Sequence, residues 1–97
     1  MHAYRQLLLA VLISSFAVCG AAEEEIRIGV LSHRGEVATL AVWTPTAEYL
    51  SATLDGYRFM IEPLAFDQVS EAVEYGAVDF ILVNPGIYVN LEVQYRV

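Results

Sequence analysis

The chain has 97 residues, and its charged side chains are strongly unbalanced: twelve aspartates and glutamates stand against five arginines, giving a formal net charge of −7. This length allows one domain at most. The acidic balance argues against long-range attraction to nucleic acid or to an anionic membrane surface, so we expect no nucleic-acid partner. Any anionic ligand must therefore be held locally, by backbone amides or by a particular arginine.

Residues Met1–Ala22 have the layout of a secretory signal peptide, with a short polar start, an apolar run and small residues before three glutamates. The apolar run, Leu7–Val18, is shorter than the roughly 20 residues that span a bilayer, although an uncleaved anchor stays open. Cys19 is the only cysteine, and a lipoprotein anchor there is a further alternative. Cleavage after Ala22 would leave no cysteine for a disulfide or a thiolate metal site. Residues 23–97 are thus predicted to be periplasmic or otherwise extracytoplasmic.

Three segments have the composition of β-strands. Ile26–Leu31 is short, bounded and rich in β-branched residues. Tyr57–Leu64 alternates apolar and polar side chains and carries a proline near its end, which indicates an edge strand. Val78–Val83 is apolar almost throughout, the pattern of a strand covered on both faces. Asp79, near the start of that last strand, is expected to have a structural role.

A helical pattern follows the first strand and is interrupted by Pro45. A proline inside a helix removes a hydrogen bond and clashes with the preceding turn, at a cost of roughly 3 kcal/mol. We therefore predict two pieces, a short helix over 36–42 and a second one with Thr44 as its N-cap and Pro45 at its first position. Trp43 is expected to pack at the joint between them.

Two further helices are predicted. Asp67 is expected to cap a helix over Gln68–Tyr75, which Gly76 stops. The last helix begins at Pro85, and Asn84 is expected to cap it. The turn that leads into this helix is expected to offer free backbone N–H groups and the positive end of a helix dipole to a small anion.

The predicted order β-α-β-α-β-α implies an α/β fold in three layers, with a parallel sheet and right-handed crossovers. Placing the alternating strand at an edge gives the strand order 2-1-3. The first and third strands are then neighbours across a topological switch point, where open α/β sheets bind ligands outside the carboxyl ends of their strands. The loops Ser32–Glu36 and Asn84–Tyr88 are predicted to meet at this crevice.

Four segments, IRIGVLSHRGE, WTPTAEYLS, PLAFDQVSEAVEYGAVDFILVNP and GIYVNLE, resemble the phosphate/phosphite/phosphonate-binding branch of the type II periplasmic binding proteins. The resemblance covers nearly all of Ile26–Val97 and is strongest to the version that serves as the extracytoplasmic sensor of bacterial histidine kinases. It implies a bilobed domain that closes on a small ligand, usually an oxyanion or a phosphonate. It also implies that residues 23–97 are the N-terminal part of such a domain, truncated within its first lobe.

Three candidate ligand contacts lie in the first loop and two in the second. Ser32 could reach a ligand with its hydroxyl or its amide, His33 could donate a hydrogen bond, and Arg34 could neutralise an anion through its planar guanidinium. Each could equally be a solvated loop residue. Asn84 could contact a ligand while capping its helix, and Gly86 permits close approach of the backbone or simply suits the turn.

Two more candidates come from the resemblance. Tyr88 lies where the family uses an aromatic hydroxyl or neighbouring groups at the ligand, although packing of its helix is the alternative. Phe66 lies where some phosphonate binders have a tyrosine, and a phenylalanine there can pack on a ligand without donating a hydrogen bond.

Catalytic readings are not favoured. Ser32 and His33 are adjacent in the chain, so their side chains point apart and form no dyad. The chain has no lysine for a Walker-type phosphate loop. The first strand ends in SHRGE rather than in a glycine-rich dinucleotide fingerprint, and the carboxylates lack the spacing of a metal site. We expect no enzyme activity, no cofactor and no metal.

The predicted function is binding of a small anionic or polar ligand by the sensor part of a signal-transduction protein such as a histidine kinase. Its partner would be a membrane signalling protein. The first alternative is the substrate-binding protein of a phosphate- or phosphonate-type transporter. The second is a non-functional remnant or a structural adaptor, which predicts no saturable ligand binding.

Overall fold

The computed structural model describes residues 22–97, so the predicted signal peptide lies almost entirely outside the described residues. The fold is α/β, as predicted. Among residues 22–97, no helix combines the length and the apolar character needed to cross a membrane. The elements, in chain order, are β1 (Glu24–Leu31), α1 (Glu36–Thr53), β2 (Tyr57–Leu64), a 3-10 turn (Phe66–Gln68), α2 (Val69–Glu74), β3 (Phe80–Leu82) and α3 (Pro85–Tyr95).

The sheet is built around β1, which pairs in parallel with both of its neighbours. β2 pairs with all eight residues of β1, whereas β3 pairs with residues 28–30 only. The predicted strand order 2-1-3 is confirmed. Because all three strands run in the same direction, their carboxyl ends lie at one edge of the sheet.

Asp79 fixes the point at which β3 begins to pair with β1. The backbone N–H of Arg27 donates to Asp79 Oδ2 at 2.8 Å. The backbone N–H of Asp79 donates to the Arg27 carbonyl at 2.8 Å. These two bonds join the strands just before Phe80, so the structural role predicted for Asp79 is confirmed.

The helices lie on both faces of the sheet. α1 packs over β1 and β2 on the face that carries Ile28 and Phe59. α2 and α3 cover the opposite face, where the core forms around Leu31, Val69 and Leu91. The loops after β1 and β3 therefore leave the sheet toward opposite faces, which opens a crevice between the ends of these two strands.

Helix α1 is continuous through Pro45, so the predicted break into two pieces is wrong. The missing N–H of Pro45 costs one hydrogen bond, to the carbonyl of Ala41, and both residues are exposed to water. Thr39 and Ala47, on either side of the proline, are both buried. They lie eight residues apart and share one helix face, so packing of that face against the sheet keeps the helix continuous through the proline.

The apolar run around β3 is covered on one face only, within the part of the chain that the structure describes. The strand is Phe80–Leu82 rather than Val78–Val83. Ile81 and Val83 pack against the core under α2 and α3. On the α1 face, however, Phe80 is 60% exposed, and an open apolar groove of about 610 Å³ lies beside α1. The predicted burial on both faces is wrong here because α1 lies over β1 and β2.

Helix α2 begins at Val69 without the predicted cap from Asp67. Gln68 occupies the N-cap position of α2 but gives that helix no side-chain hydrogen bond. It closes the preceding 3-10 turn instead, because it lies three residues after Ala65 and can reach back to it. Its Oε1 accepts from the Ala65 N–H at 2.9 Å, and its own N–H donates to the Ala65 carbonyl at 2.9 Å. Asp67 is exposed in the intervening 3-10 turn. The predicted stop at Gly76 is confirmed by its positive φ of 65°.

Ser51 joins the last turn of α1 to the edge strand β2. Its Oγ accepts from the backbone N–H of Phe59 at 2.8 Å and donates to the Ala47 carbonyl at 2.8 Å. The Phe59 N–H lies on the open side of an edge strand, where it has no strand partner. Leaving a part-buried backbone hydrogen-bond donor of this kind unpaired destabilises the folded chain.

Ser51→Ala should lower the free energy of unfolding of the full chain by about 1–2 kcal/mol, because it removes the partner of the Phe59 N–H. Thr53→Ala is a matched control. Thr53 Oγ1 also donates to the backbone carbonyl four residues earlier, that of Tyr49, at 2.7 Å. Thr53 is exposed, however, and this hydrogen bond does not connect the helix to a strand. This control should stay within about 0.5 kcal/mol of the parent. Urea unfolding followed by circular dichroism measures both, and equal effects would contradict the proposed link to β2.

Leu91→Ala should destabilise the chain by about 2–5 kcal/mol, since it opens a cavity between α2, α3 and the sheet. Leu91 is 1% exposed, whereas Val93 on the same helix is 78% exposed. Val93→Ala is therefore the control, with a change within about 0.5 kcal/mol. Thermal unfolding that shifts alike for both variants would show that α3 does not pack on the sheet through Leu91.

Candidate functional site

The loop after β1 turns the chain from the sheet into α1 at the carboxyl edge. His33 and Arg34 form an exposed turn, and Gly35 follows with a φ of 91°, which only glycine adopts without strain. Gly35 is the N-cap of α1 and supplies no capping side chain. Consequently, among residues 22–97, the N–H groups at positions 36–38 have no hydrogen-bond partner and point out of the start of the helix.

Ser32 is held by two hydrogen bonds. Its backbone N–H donates to the Leu64 carbonyl at 2.8 Å, so the amide contact with a ligand that the sequence left open is not available. Its Oγ lies 3.0 Å from Thr39 Oγ1, which also lies 2.9 Å from the Gly35 carbonyl. A carbonyl only accepts, so Ser32 donates to Thr39 whenever Thr39 donates to Gly35. Thr39 is 7% exposed and was not singled out from the sequence.

The loop after β3 begins α3 as predicted. Asn84 is the N-cap, and its Oδ1 accepts from the Ile87 N–H at 2.9 Å. The Tyr88 N–H donates to the Asn84 carbonyl at 3.0 Å. Pro85 has no N–H, so only the Gly86 amide lacks a partner in this turn within the described residues. The cradle of free amides expected here is therefore small, because Asn84 itself satisfies the first turn.

The two loops meet at one cavity. This cavity has a volume of about 320 Å³. It is lined by His33 from the first loop, by Asn84 from the second, and by apolar residues of β1, of α1 and at the end of β3. A second cavity of about 330 Å³ lies beside it under the start of α1, and His33, Arg34 and Thr39 line it. His33 borders both cavities. The predicted meeting of the two loops is thus confirmed, while ligand contact by their residues stays a prediction.

Trp43 also borders both cavities, although the sequence had assigned it to a helix joint. No joint exists, because α1 is continuous. Thr39, Trp43 and Ala47 recur every four residues and therefore lie on the face of α1 that turns toward the sheet. That spacing was visible in the sequence, but the expected break at Pro45 hid it.

Four of the predicted contacts line neither cavity, and Ser32, whose hydroxyl is hydrogen-bonded to Thr39, is the first of them. Phe66 is 75% exposed at the carboxyl end of β2, on the other side of β1 from β3. Gly86 and Tyr88 lie in the first turn of α3, with Tyr88 about half exposed. Their roles as ligand contacts remain predictions. A ligand in the two cavities would reach them only if it extended beyond those cavities.

One arginine and several backbone amides stand at the rim of the crevice. Within residues 22–97, Arg34 forms no ion pair, whereas Arg27 and Arg58 both pair with Glu25. Arg34 therefore stands free at the rim beside the unpaired amides of α1, and the positive end of that helix dipole points the same way. Among these residues, no group of three or more histidine, cysteine or acidic side chains is arranged to hold a metal ion.

Comparison with known proteins finds a family and a curated relative. Residues 28–97 match the family described as the periplasmic substrate-binding protein of the phosphonate ABC transporter. Over 84 residues the chain is 43% identical to the tetrathionate sensor histidine kinase TtrS of Salmonella typhimurium strain LT2, an alignment that covers 86% of this chain and 14% of that protein. No solved structure matches significantly.

The family match takes in β1 from Ile28 onward, both crevice loops and all three helices. It extends over more than half of the chain. The chain therefore belongs to the family of periplasmic phosphonate-binding proteins of ABC transporters.

Proposed function

We propose that the chain is the N-terminal part of an extracytoplasmic domain that binds a small oxyanion and serves as the sensor of a signal-transduction protein. The observation that carries this proposal is the single cavity lined by His33 and Asn84, which come from loops after two neighbouring strands. Ligand sites of open α/β sheets occupy this position. The membership of the family and the identity to a sensor kinase support the same function.

An anionic ligand is supported by the groups at the first loop. Within residues 22–97 the amides at positions 36–38 are unpaired, His33 lines both cavities and Arg34 lines the second. Together these groups would supply hydrogen-bond donors and positive charge in a chain whose formal net charge is −7. The module needs no catalytic group for this task and is proposed to be non-enzymatic.

The ligand class follows from the relatives. The kinase is named as a tetrathionate sensor, and the family is named for phosphonate, so a sulfur oxyanion and a phosphonate are the two classes to test. Binding would act by differential affinity: a ligand that contacts both this crevice and a facing lobe favours the closed arrangement and shifts the conformational equilibrium. That shift is what a membrane-bound partner would sense.

Transport is the second candidate, because the family itself is described as the binding protein of a transporter. A transport receptor would deliver the ligand to a permease and would carry no signalling domain. The sequence of the gene around this segment separates the two, since a sensor continues into a membrane helix and a kinase. Ligand binding is common to both candidates.

Asn84→Asp tests the oxyanion site. Aspartate caps a helix as well as asparagine and suits the positive end of the helix dipole, so the stability of α3 should be kept or slightly raised. The added negative charge at the cavity should weaken tetrathionate or methylphosphonate binding about tenfold or more. Isothermal titration calorimetry on the full chain measures the affinity, in a Cys19→Ser background because tetrathionate reacts with thiols.

Asn90→Asp is the matched control. Asn90 is exposed on the same helix and lines neither cavity, so the same change in charge should leave binding within a factor of about two. Saturable binding that is lost only in Asn84→Asp supports the proposal. Absence of binding for every oxyanion, or equal binding by Asn84→Asp and the parent, would refute it.

A further inference from the structure

The cavity between the two loops is mostly apolar. Only His33 and Asn84 contribute polar side chains to it. The rest of its lining comes from apolar residues, namely Val30 and Leu31 of β1, Leu82 of β3, Val83 just after it and Trp43 of α1. Trp43 is the largest of these and also borders the neighbouring cavity beside Arg34.

This lining does not suit a compact, strongly hydrated anion. Inorganic phosphate or sulfate would lose water against Val30 and Leu82 without gaining hydrogen bonds there. The donors lie to one side instead, at His33, Arg34 and the unpaired amides of α1. A ligand that fills both regions must carry its charge at one end and a weakly hydrated body at the other.

We propose that the crevice selects oxyanions that carry an apolar or polarisable body, such as a chain of sulfur atoms or an alkyl group, and that Trp43 contacts this body. The inference rests on the proposed function and names the ligand class within it. An indole ring offers a large, rigid and polarisable surface, which suits both kinds of body. The charged end of the ligand then lies toward Arg34 and His33.

The chain offers a direct probe, because Trp43 is its only tryptophan. Tetrathionate and butylphosphonate are titrated into the full chain in the Cys19→Ser background, at constant ionic strength, while tryptophan emission is recorded. Inorganic phosphate and sulfate are the matched small anions. We expect a saturable change in emission with the first two ligands, and affinities for phosphate and sulfate that are weaker by about tenfold or more.

Two variants separate contact from folding. Trp43→Ala should weaken the binding of tetrathionate, measured by calorimetry, by about tenfold or more, whereas Trp43→Phe should keep most of it, because an aromatic surface remains. Tyr49→Ala, an exposed aromatic change on the same helix, should bind as the parent does. Circular dichroism compares the stability of all three, and the change in tryptophan emission of the parent decides the matter if Trp43→Ala does not fold.

The outcomes are distinct. Binding of tetrathionate or butylphosphonate by calorimetry, with unchanged emission and with full affinity in Trp43→Ala, would refute contact by Trp43 but leave the proposed function standing. Phosphate that binds as tightly as butylphosphonate would refute the selectivity. If calorimetry detects no binding of any of the four anions, the proposed function fails and this inference fails with it.

Discussion

Parallel pairing of β1 with both of its neighbours is the constraint on which the crevice depends. Because the three strands run in one direction, the loops that follow them are delivered to one edge. Because α1 and α3 then leave toward opposite faces, the loops after β1 and β3 separate and leave a gap between them. A strand of opposite direction at either position would place His33 and Asn84 at opposite ends of the sheet.

The two sides of the gap differ in chemistry. The start of α1 is uncapped by any side chain, and its amides remain available. The start of α3 is capped by Asn84, which uses its oxygen on the helix itself. We therefore propose that an anion is bound mainly by the groups at the start of α1. Asn84 would contact it while its side-chain oxygen caps α3. Leu91 holds α3 on the core independently of this cap.

The sequence predicted the fold well where periodicity decides it. Strand order, the bounds of β2 and the cap at Asn84 followed from alternation, apolar runs and turn residues. Prediction failed at Asp67, which does not cap α2, since Gln68 closes a 3-10 turn ahead of that helix. It failed also where tertiary packing outweighs a local rule: burial of one helix face carries α1 through Pro45. The same failure hid Thr39 and Trp43, whose roles depend on a continuous α1. Ligand contact depends further on whatever faces this crevice, which local patterns do not encode.

The most direct test is an amide-resolved titration of the full chain with tetrathionate, in the Cys19→Ser background, by two-dimensional nuclear magnetic resonance. If the two loops form one site, the amides of residues 33–38 and those of Gly86 to Tyr88 shift together and fit a single dissociation constant. Shifts confined to one loop, or different constants for the two, would contradict a shared crevice.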